Sequence, residues 1–520
     1  VAHDDAHVAV KVTIPYPRRW AALTVLVGSM LLLAIDGTVL YLAVPSLTAD
    51  LAPGSTQILW IGDIYALALA GLLVTTGTLA DRVGRKRVLL AGTAAFGVAS
   101  ALAAFAPSAE MLIVARLLLG VAGATIMPST LSIIRNMFPD QAERTRAIAI
   151  WSAASAGGMA LGPLVGGALL ENFWWGSVFL INVPVVLVFL VAGAFLLPES
   201  RNPRPGRFDL LSAALSMLAI VPLVYAVKHA IGTGVDLRTT LAVLVGVVAG
   251  VLFVRRQRRL KTPLIDVELF ANKAFSGAVL ANVVAIFALM GVLFFFSQYL
   301  QLVRGLGPLA AGLVELPTTI ASILAVAVVG VLVTRLGVGR AVAAGLLVAA
   351  LGLMFIAVAE GADHYLWLAL ALLPLGLGVG VAMTLTTDAV ISAVPPQRAG
   401  AASAIAETAY ELGAALGIAL LGSGVTLVYR ASLDLPADVP GPVRATVEDS
   451  LASAVNSVGT DSGLAEAARA AFTTAMQTTS LVAAAITVVA ALIAWRAIPS
   501  GRKVETAQRT ETAQTVETEE

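Results

Sequence analysis

Long apolar runs, broken by short clusters of charge, proline and glycine, fill the chain from residue 20 to residue 495. A helix needs about 20 mostly apolar residues to cross roughly 30 Å of hydrocarbon. Fourteen runs reach that length, at 20–46, 57–80, 87–107, 110–134, 146–171, 176–197, 209–228, 239–255, 274–300, 308–333, 341–360, 365–393, 399–428 and 473–495. They are too long and too evenly apolar for the alternating strands of an outer-membrane barrel, and helices satisfy their own backbone groups inside lipid. The pattern predicts an all-α polytopic membrane protein with 14 transmembrane helices. Its first run follows Arg18 and Arg19 but is too long for a secretory leader and contains Asp36 and Pro45, so it reads as a retained helix.

Composition agrees with a bilayer setting. Apolar residues make up 58% of the 520 and charged ones only 12%, against roughly 25% charged in soluble domains. A net charge of +1 removes any whole-molecule argument for nucleic-acid binding. With no cysteine, disulfides, thiolate nucleophiles and cysteine metal sites are all excluded.

Charge therefore matters by position. An even number of spans puts both termini on one side, and placing them in the cytoplasm assigns 26 of the 33 Lys and Arg to cytoplasmic segments, six to external ones and Arg116 to a helix. That is the positive-inside pattern. Its main clusters are Arg82, Arg85, Lys86 and Arg87, then Arg255, Arg256, Arg258 and Arg259, while the external loop 359–365 carries Glu360 and Asp363. The expected setting is a bacterial inner membrane, and an excess of Arg over Lys, 27 to 6, fits a high-G+C bacterium. The external segment 429–472 is expected to hold one or two short helices on the outer mouth, as a surface cap or as a gating loop. The polar tail 500–520 is expected to be disordered.

An internal repeat organises the spans. Gly77-Thr-Leu-Ala-Asp81-Arg82-Val-Gly84-Arg85-Lys86-Arg87 is echoed by Gly330-Val-Leu-Val-Thr334-Arg335-Leu-Gly337-Val-Gly339-Arg340. This suggests a cytoplasmic N-terminus (1–19), a six-helix bundle (20–197), two inserted transmembrane helices with cytoplasmic linkers (198–273), a second six-helix bundle that includes loop 429–472 (274–496), and a cytoplasmic tail (497–520).

With those features the chain resembles the major facilitator superfamily, in its fourteen-helix drug/proton antiporter branch of QacA/SmvA-like multidrug exporters. The resemblance rests on Ala34 to Pro45 in helix one, Gly77 to Arg87 in the following loop, Arg116-Leu-Leu-Leu-Gly120-Val-Ala-Gly123 in helix four and Gly158-Met-Ala-Leu-Gly162-Pro163-Leu-Val-Gly166-Gly167 in helix five. Trp60 to Tyr65 and Trp175 to Pro184 add subfamily character. It implies two pseudo-related bundles working by alternating access, a coupling role for Arg116, a conformational latch at Asp81 and Arg85, and a hinge or close-packed seam at Gly162 and Pro163. Asp81 is expected to cap a helix N-terminus and Arg85 to pair across the bundle, with a plain topology-setting loop as the alternative. Thr334 stands where the first repeat has Asp81, so the second loop lacks that acid.

Acids inside apolar spans are functional candidates because they are costly there. Asp36, Asp63, Glu315, Glu407 and Glu411 qualify, and the last two share one helical face. Burial favours the protonated form of a carboxylate, and the same group attracts a cation, so a proton and a cationic drug would compete for it. Each acid also has a bland reading: a hydrogen bond between helices for Asp36, partial hydration near the interface for Asp63, a wet outer mouth for Glu315, and an internal pairing for Glu407 and Glu411. Trp60, Tyr65 and Tyr410 are candidates for stacking on a flat cation, or else packing aromatics. Arg116 must find a carboxylate or carbonyls, and a structural pairing with a helix-one acid is its alternative. His229 and His364 fall at external edges and read as neither metal ligands nor proton relays.

No span other than that of Arg116 is expected to bury a Lys or Arg, and several buried acids without a buried lysine favour cationic cargo. The sequence holds no P-loop and no metalloprotease motif, so neither an ATP-driven pump nor a membrane enzyme fits, and no cofactor or metal is expected. The reading is a monomeric, proton-coupled exporter of lipophilic cations such as quaternary ammonium compounds and dyes. Its partners are those cations, protons and the lipid bilayer, with no nucleic acid. The alternatives are an exporter of one antibiotic or endogenous metabolite, and a sensor that does not transport.

Overall fold

The computed structural model describes residues 17–499 apart from 202–208, 261–262, 363, 395–398, 437 and 460–461. Asp363 and the tail 500–520 thus lie outside the described residues. Among the described residues, fourteen helices are long and apolar enough to cross a membrane. The first six are α1 (Arg19–Leu51), α2 (Ser55–Val83), α3 (Arg85–Ala104), α4 (Ala109–Met137), α5 (Gln141–Asn172) and α6 (Ser177–Leu196). A hairpin of α7 (Leu210–Ile231) and α8 (Leu237–Arg259) follows. Then come α9 (Lys273–Val303), α10 (Pro308–Leu336), α11 (Val338–Ala359), α12 (Tyr365–Ser392) and α13 (Ala402–Ser432). Two short helices, α14 (Gly441–Asp449) and α15 (Leu451–Val458), precede the last span, α16 (Gly463–Ala497).

Local signals set the helix ends. Ser108, Asp140, Asp209, Asp236 and Ser462 each accept a backbone N–H from the first turn of the helix they open. The two copies of the repeat share a one-residue corner. Gly84 joins α2 to α3 at φ +128°, and Gly337 joins α10 to α11 at φ +76°. Both conformations favour glycine, so the spacing of the repeat places its glycine where the chain must reverse.

Each expected span corresponds to one helix, with ends displaced where apolar or Ala-rich sequence continues. α16 starts at Gly463 rather than 473, because Ala465, Ala468 and Ala471 are buried against the bundle. α7 runs past 228 to Ile231, and this overturns one expectation: Lys228 lies inside a span and is fully buried.

Helix packing sorts the spans. α1 lies against α5, α2 against α4, and α3 against α4 and α6. In the second group α11 lies against α12 and α16, α10 against α12, and α9 against α12, α13 and α16. Two seams join the groups, α5 with α10 and α2 with α13. The α7–α8 hairpin stands outside, with α7 touching both α2 and α13, so it covers one seam and leaves the other bare. Many large apolar side chains of α8, including Leu241, Leu244, Val247 and Leu252, are exposed, as a lipid-facing helix requires.

The two groups are tied together at the end opposite the chain termini. There Gln301 Nε2 donates to Leu42 O at 3.0 Å, and Ser55 N donates to Asp449 at 3.1 Å. On the bare seam, a Cβ added at Gly167 would lie 2.6 Å from Leu309 Cα, and one at Gly312 would lie 2.5 Å from Pro163 O. Backbone contact this close needs glycine.

Candidate transport site

Between the two groups lies a cavity of about 480 Å³. One wall comes from α1, α2, α4 and α5, the other from α9, α12 and α13. Its lining includes Met127, Trp151, Met383 and Thr387, all in the halves of their helices nearer the chain termini, so the space extends toward that end, while the contacts of Gln301 with Leu42 and of Ser55 with Asp449 join the groups at the far end.

Three charged residues line it: Arg116, Glu407 and Glu411. Arg116 is already neutralised. Its Nη1 lies 3.2 Å from Asp36 Oδ2, its Nε donates to Ile61 O at 3.3 Å, and its guanidinium sits 4.6 Å from the centre of the Tyr65 ring. Asn182 Nδ2 donates to the other oxygen of Asp36 at 2.8 Å and also to Ser100 Oγ at 3.2 Å. Asp36 is thus fully buried, coordinated by α4 and α6, and behind the cavity wall rather than in it. Glu407 and Glu411, one turn apart on α13, have no ion-pair partner among the described residues. They are the carboxylates the cavity presents.

Aromatic and sulfur groups complete the lining. Tyr65 and Tyr410 both reach the cavity, and Trp60 does not. Tyr410 Oη donates to Met159 Sδ at 3.1 Å, and Tyr41 Oη to Met290 Sδ at 3.6 Å, each bond crossing from one group to the other. Five of the ten methionines, Met30, Met127, Met159, Met290 and Met383, line this one space. Thioethers on flexible stems adapt to differently shaped guests. The sequence gives no sign of the cluster, because the five come from five different helices.

Asp63 and Trp60 face elsewhere. Lys228 Nζ lies 2.6 Å from Asp63 Oδ2, an ion pair at an angle outside hydrogen-bond geometry, and 3.7 Å from the centre of the Trp60 ring. Both charged side chains are fully buried, which excludes the hydrated edge position considered for Asp63. Lys228 also overturns the expectation that no lysine is buried, which was one ground for expecting cationic cargo. The apolar residues Ala230 and Ile231 that follow Lys228 and His229 were the signal that Lys228 lies within the helix.

Glu315 is also buried, so it is not a wet outer-mouth residue. Its Oε1 has no hydrogen-bond partner among the described residues, and it lies outside the cavity lining. At the terminal end Arg85 pairs with Asp81 at 2.8 Å, four residues back, instead of crossing the bundle. Asp81 sits within α2 and does not cap α3, whose N-cap is Gly84. Glu199, unflagged in the sequence, does the bridging: it accepts Lys86 N at 3.2 Å and lies 3.6 Å from Arg87. Gly162 packs its bare Cα on Thr38, and Pro163 lies on the α10 seam at Gly312. His229 pairs with Asp236 at 3.0 Å and stacks on Tyr225.

Over residues 26–418 the sequence matches the Major Facilitator Superfamily. The chain belongs to that superfamily. The multidrug efflux pump LfrA of Mycolicibacterium smegmatis is 47% identical over 476 residues, covering 91% of this chain and 94% of LfrA. The methyl viologen resistance protein SmvA of Salmonella typhimurium is 38% identical over 462 residues, covering 88% of this chain and 93% of its own. A solved bacterial homologue of the human lysosomal transporter Spinster, inward-facing and occupied, superposes with a TM-score of 0.65 at 17% identity, covering 94% of this chain and 98% of that one. That last likeness shows the fold alone. This superfamily member is a fourteen-helix, multi-pass membrane transporter of the drug-efflux type and not an enzyme.

Proposed function

We propose that this transporter expels lipophilic cations in exchange for protons, and that Glu407 and Glu411 are where the two ligands exclude one another. The observation that carries this reading is the charge of the cavity: two carboxylates without an ion-pair partner among the described residues, facing an arginine already paired with Asp36. A guest with a positive charge and a flat apolar body suits those acids, the rings of Tyr65 and Tyr410, and the methionine lining. SmvA, by its name, confers resistance to methyl viologen, a dication, and two adjacent carboxylates suit such a guest. Expelling a dication for one proton would work against roughly 2.3 kcal/mol per 100 mV, so dications are exchanged for at least two protons.

In this reading both termini are cytoplasmic, as the basic clusters favour, and the protein works as a monomer. The cavity then faces the cytoplasm, with Asp449 and Ser55 at the external side. The six-helix groups 20–197 and 274–496 rock about the cavity, and Arg116 with Asp36 transmits the change between α1 and α4.

Ethidium export from proteoliposomes after a pH jump tests this, comparing the natural protein with Glu407→Gln and Glu411→Gln. Export should fall at least about ten-fold in each variant, the scale of a lost charge-assisted contact, and proton release should fall with it. Equal export and proton flux in all three proteins would remove the proposal.

A further inference from the structure

The inserted hairpin is the part of this fold that two six-helix bundles alone do not explain. α7 touches both halves of the transporter, α2 on one side and α13 on the other, so it must move relative to at least one of them whenever the halves rock. Its polar ties show which. Near the end opposite the termini, Lys228 Nζ meets Asp63 Oδ2 at 2.6 Å and lies 3.7 Å from the centre of the Trp60 ring, and Asp63 and Trp60 both belong to α2. Twelve residues earlier on α7, Ser216 Oγ donates to Gly71 O at 3.3 Å. Beside it Met217 fills the notch left by Gly71, where an added Cβ would collide with the Met217 sulfur. The two attachments lie eight residues apart on α2, so α7 is pinned along its length rather than at one point.

We propose that Lys228 is the positioning residue that fastens the inserted pair α7–α8 to the N-terminal half, so that the pair travels with α2 while α13 slides past α7. Separating a buried ion pair leaves two bare charges without water, and a step of that kind is ill suited to every turnover. Apolar faces sliding on each other in lipid expose nothing that lipid does not solvate equally well. Asp63 is thereby committed to Lys228, and Trp60 serves the lysine rather than the cargo. The asymmetry of the seams has the same origin: the α2–α13 seam stays covered through the cycle, and the α5–α10 seam faces lipid.

The chain contains no cysteine, so a pair can be introduced without removing any. Gly71→Cys with Met217→Cys places one thiol on each helix of the contact. Oxidised to a cross-link in proteoliposomes, this protein should export ethidium within about two-fold of its reduced form, as expected for two helices that move as one body. Loss of export on oxidation, restored by reductant, would show that α7 must move against α2 and would overturn the proposal. A second arm uses Lys228→Met, Asp63→Asn and the double variant. The single lysine change strands a buried carboxylate and should lower export at least about ten-fold, while the neutral pair should recover to within about three-fold of the natural protein. A folded, monodisperse double variant that exports as poorly as Asp63→Asn alone would place Asp63 on the path of the proton or the cargo, which also overturns it. Each comparison is internal to drug export, so its outcome is separate from whether protons drive that export.

Discussion

Asp449, the last residue of α14 in the C-terminal half, accepts the backbone N–H of Ser55 at 3.1 Å and its hydroxyl at the same distance, and so caps α2 of the N-terminal half. Arg430 of α13 holds the carboxylate from behind, 3.8 Å away, and donates to Glu448 O at 3.1 Å. A helix cap normally belongs to its own chain segment; here it spans the two helix groups. Replacing Asp449 by Ala should remove about 0.5–2 kcal/mol of capping, and because the cap exists only while this end is shut, the equilibrium should move toward the state open at this end. Alkylation of single cysteines placed in the cavity wall, reached from that end, measures the change. An unchanged rate would show that the cap is broken at no cost.

The Arg116–Asp36 pair predicts a second outcome. Arg116→Ala leaves the Asp36 carboxylate buried and uncompensated, which costs about 3–5 kcal/mol, whereas Arg116→Ala with Asp36→Asn removes both charges together. Thermal unfolding in detergent should show the single variant strongly destabilised and the double variant largely restored. Arg116→Lys should not rescue export, because an ammonium cannot reach Asp36 Oδ2 and Ile61 O at once while lying on the Tyr65 ring.

The sequence carried the span count, the all-helical class and the repeat, because bilayer thickness imposes a length that hydrophobicity alone reveals. It also placed Glu407, Glu411, Tyr65 and Tyr410 among the candidate residues, and all four meet at the cavity. What it did not carry was direction around the helix axis. Trp60 and Asp63 lie within one turn or so of Tyr65, yet they face α7 while Tyr65 faces the cavity. In a helix apolar all round, periodicity names no inner face, so the ion pair with Lys228 and the five-methionine lining appear only once the helices are packed. Glu199 was hidden for a similar reason: its partners, Lys86 and Arg87, are more than a hundred residues away.

The α5 glycines should differ sharply among themselves. A methyl group at Gly157 meets nothing within 4 Å, but one at Gly158 would lie 2.5 Å from Ala34 Cβ and 3.0 Å from Leu31 O. Gly157→Ala should therefore leave export and stability unchanged, and Gly158→Ala should push α5 off α1 at a cost of about 1–3 kcal/mol for overpacking. Gly312→Ala presses instead on Pro163 O across the seam between the two helix groups. It should leave each half folded and favour the conformation in which α5 and α10 part. Far-end cysteine accessibility separates the two effects, since Gly158→Ala lowers the unfolding temperature and Gly312→Ala shifts accessibility.

The methionine lining makes the most discriminating forecast about cargo. Met159 and Met290 hold their sulfurs against Tyr410 and Tyr41, and Met30, Met127 and Met383 face the same space. Leucine has nearly the volume of methionine, so Met→Leu changes should cost under about 1.5 kcal/mol in stability. They do remove the polarisable sulfur, whose contact with an aromatic ring is worth about 0.3–1.5 kcal/mol. Each Met→Leu variant should then weaken a flat aromatic cation such as ethidium by roughly two- to ten-fold, and leave a saturated quaternary ammonium ion bound as before. Binding titrations with the two guests, on the same preparation, check this directly. A parallel loss for both would mean that the methionines set the size of the cavity rather than its chemistry. In that case the breadth of cargo would rest on Glu407 and Glu411 alone, and the remaining lining would be interchangeable apolar wall.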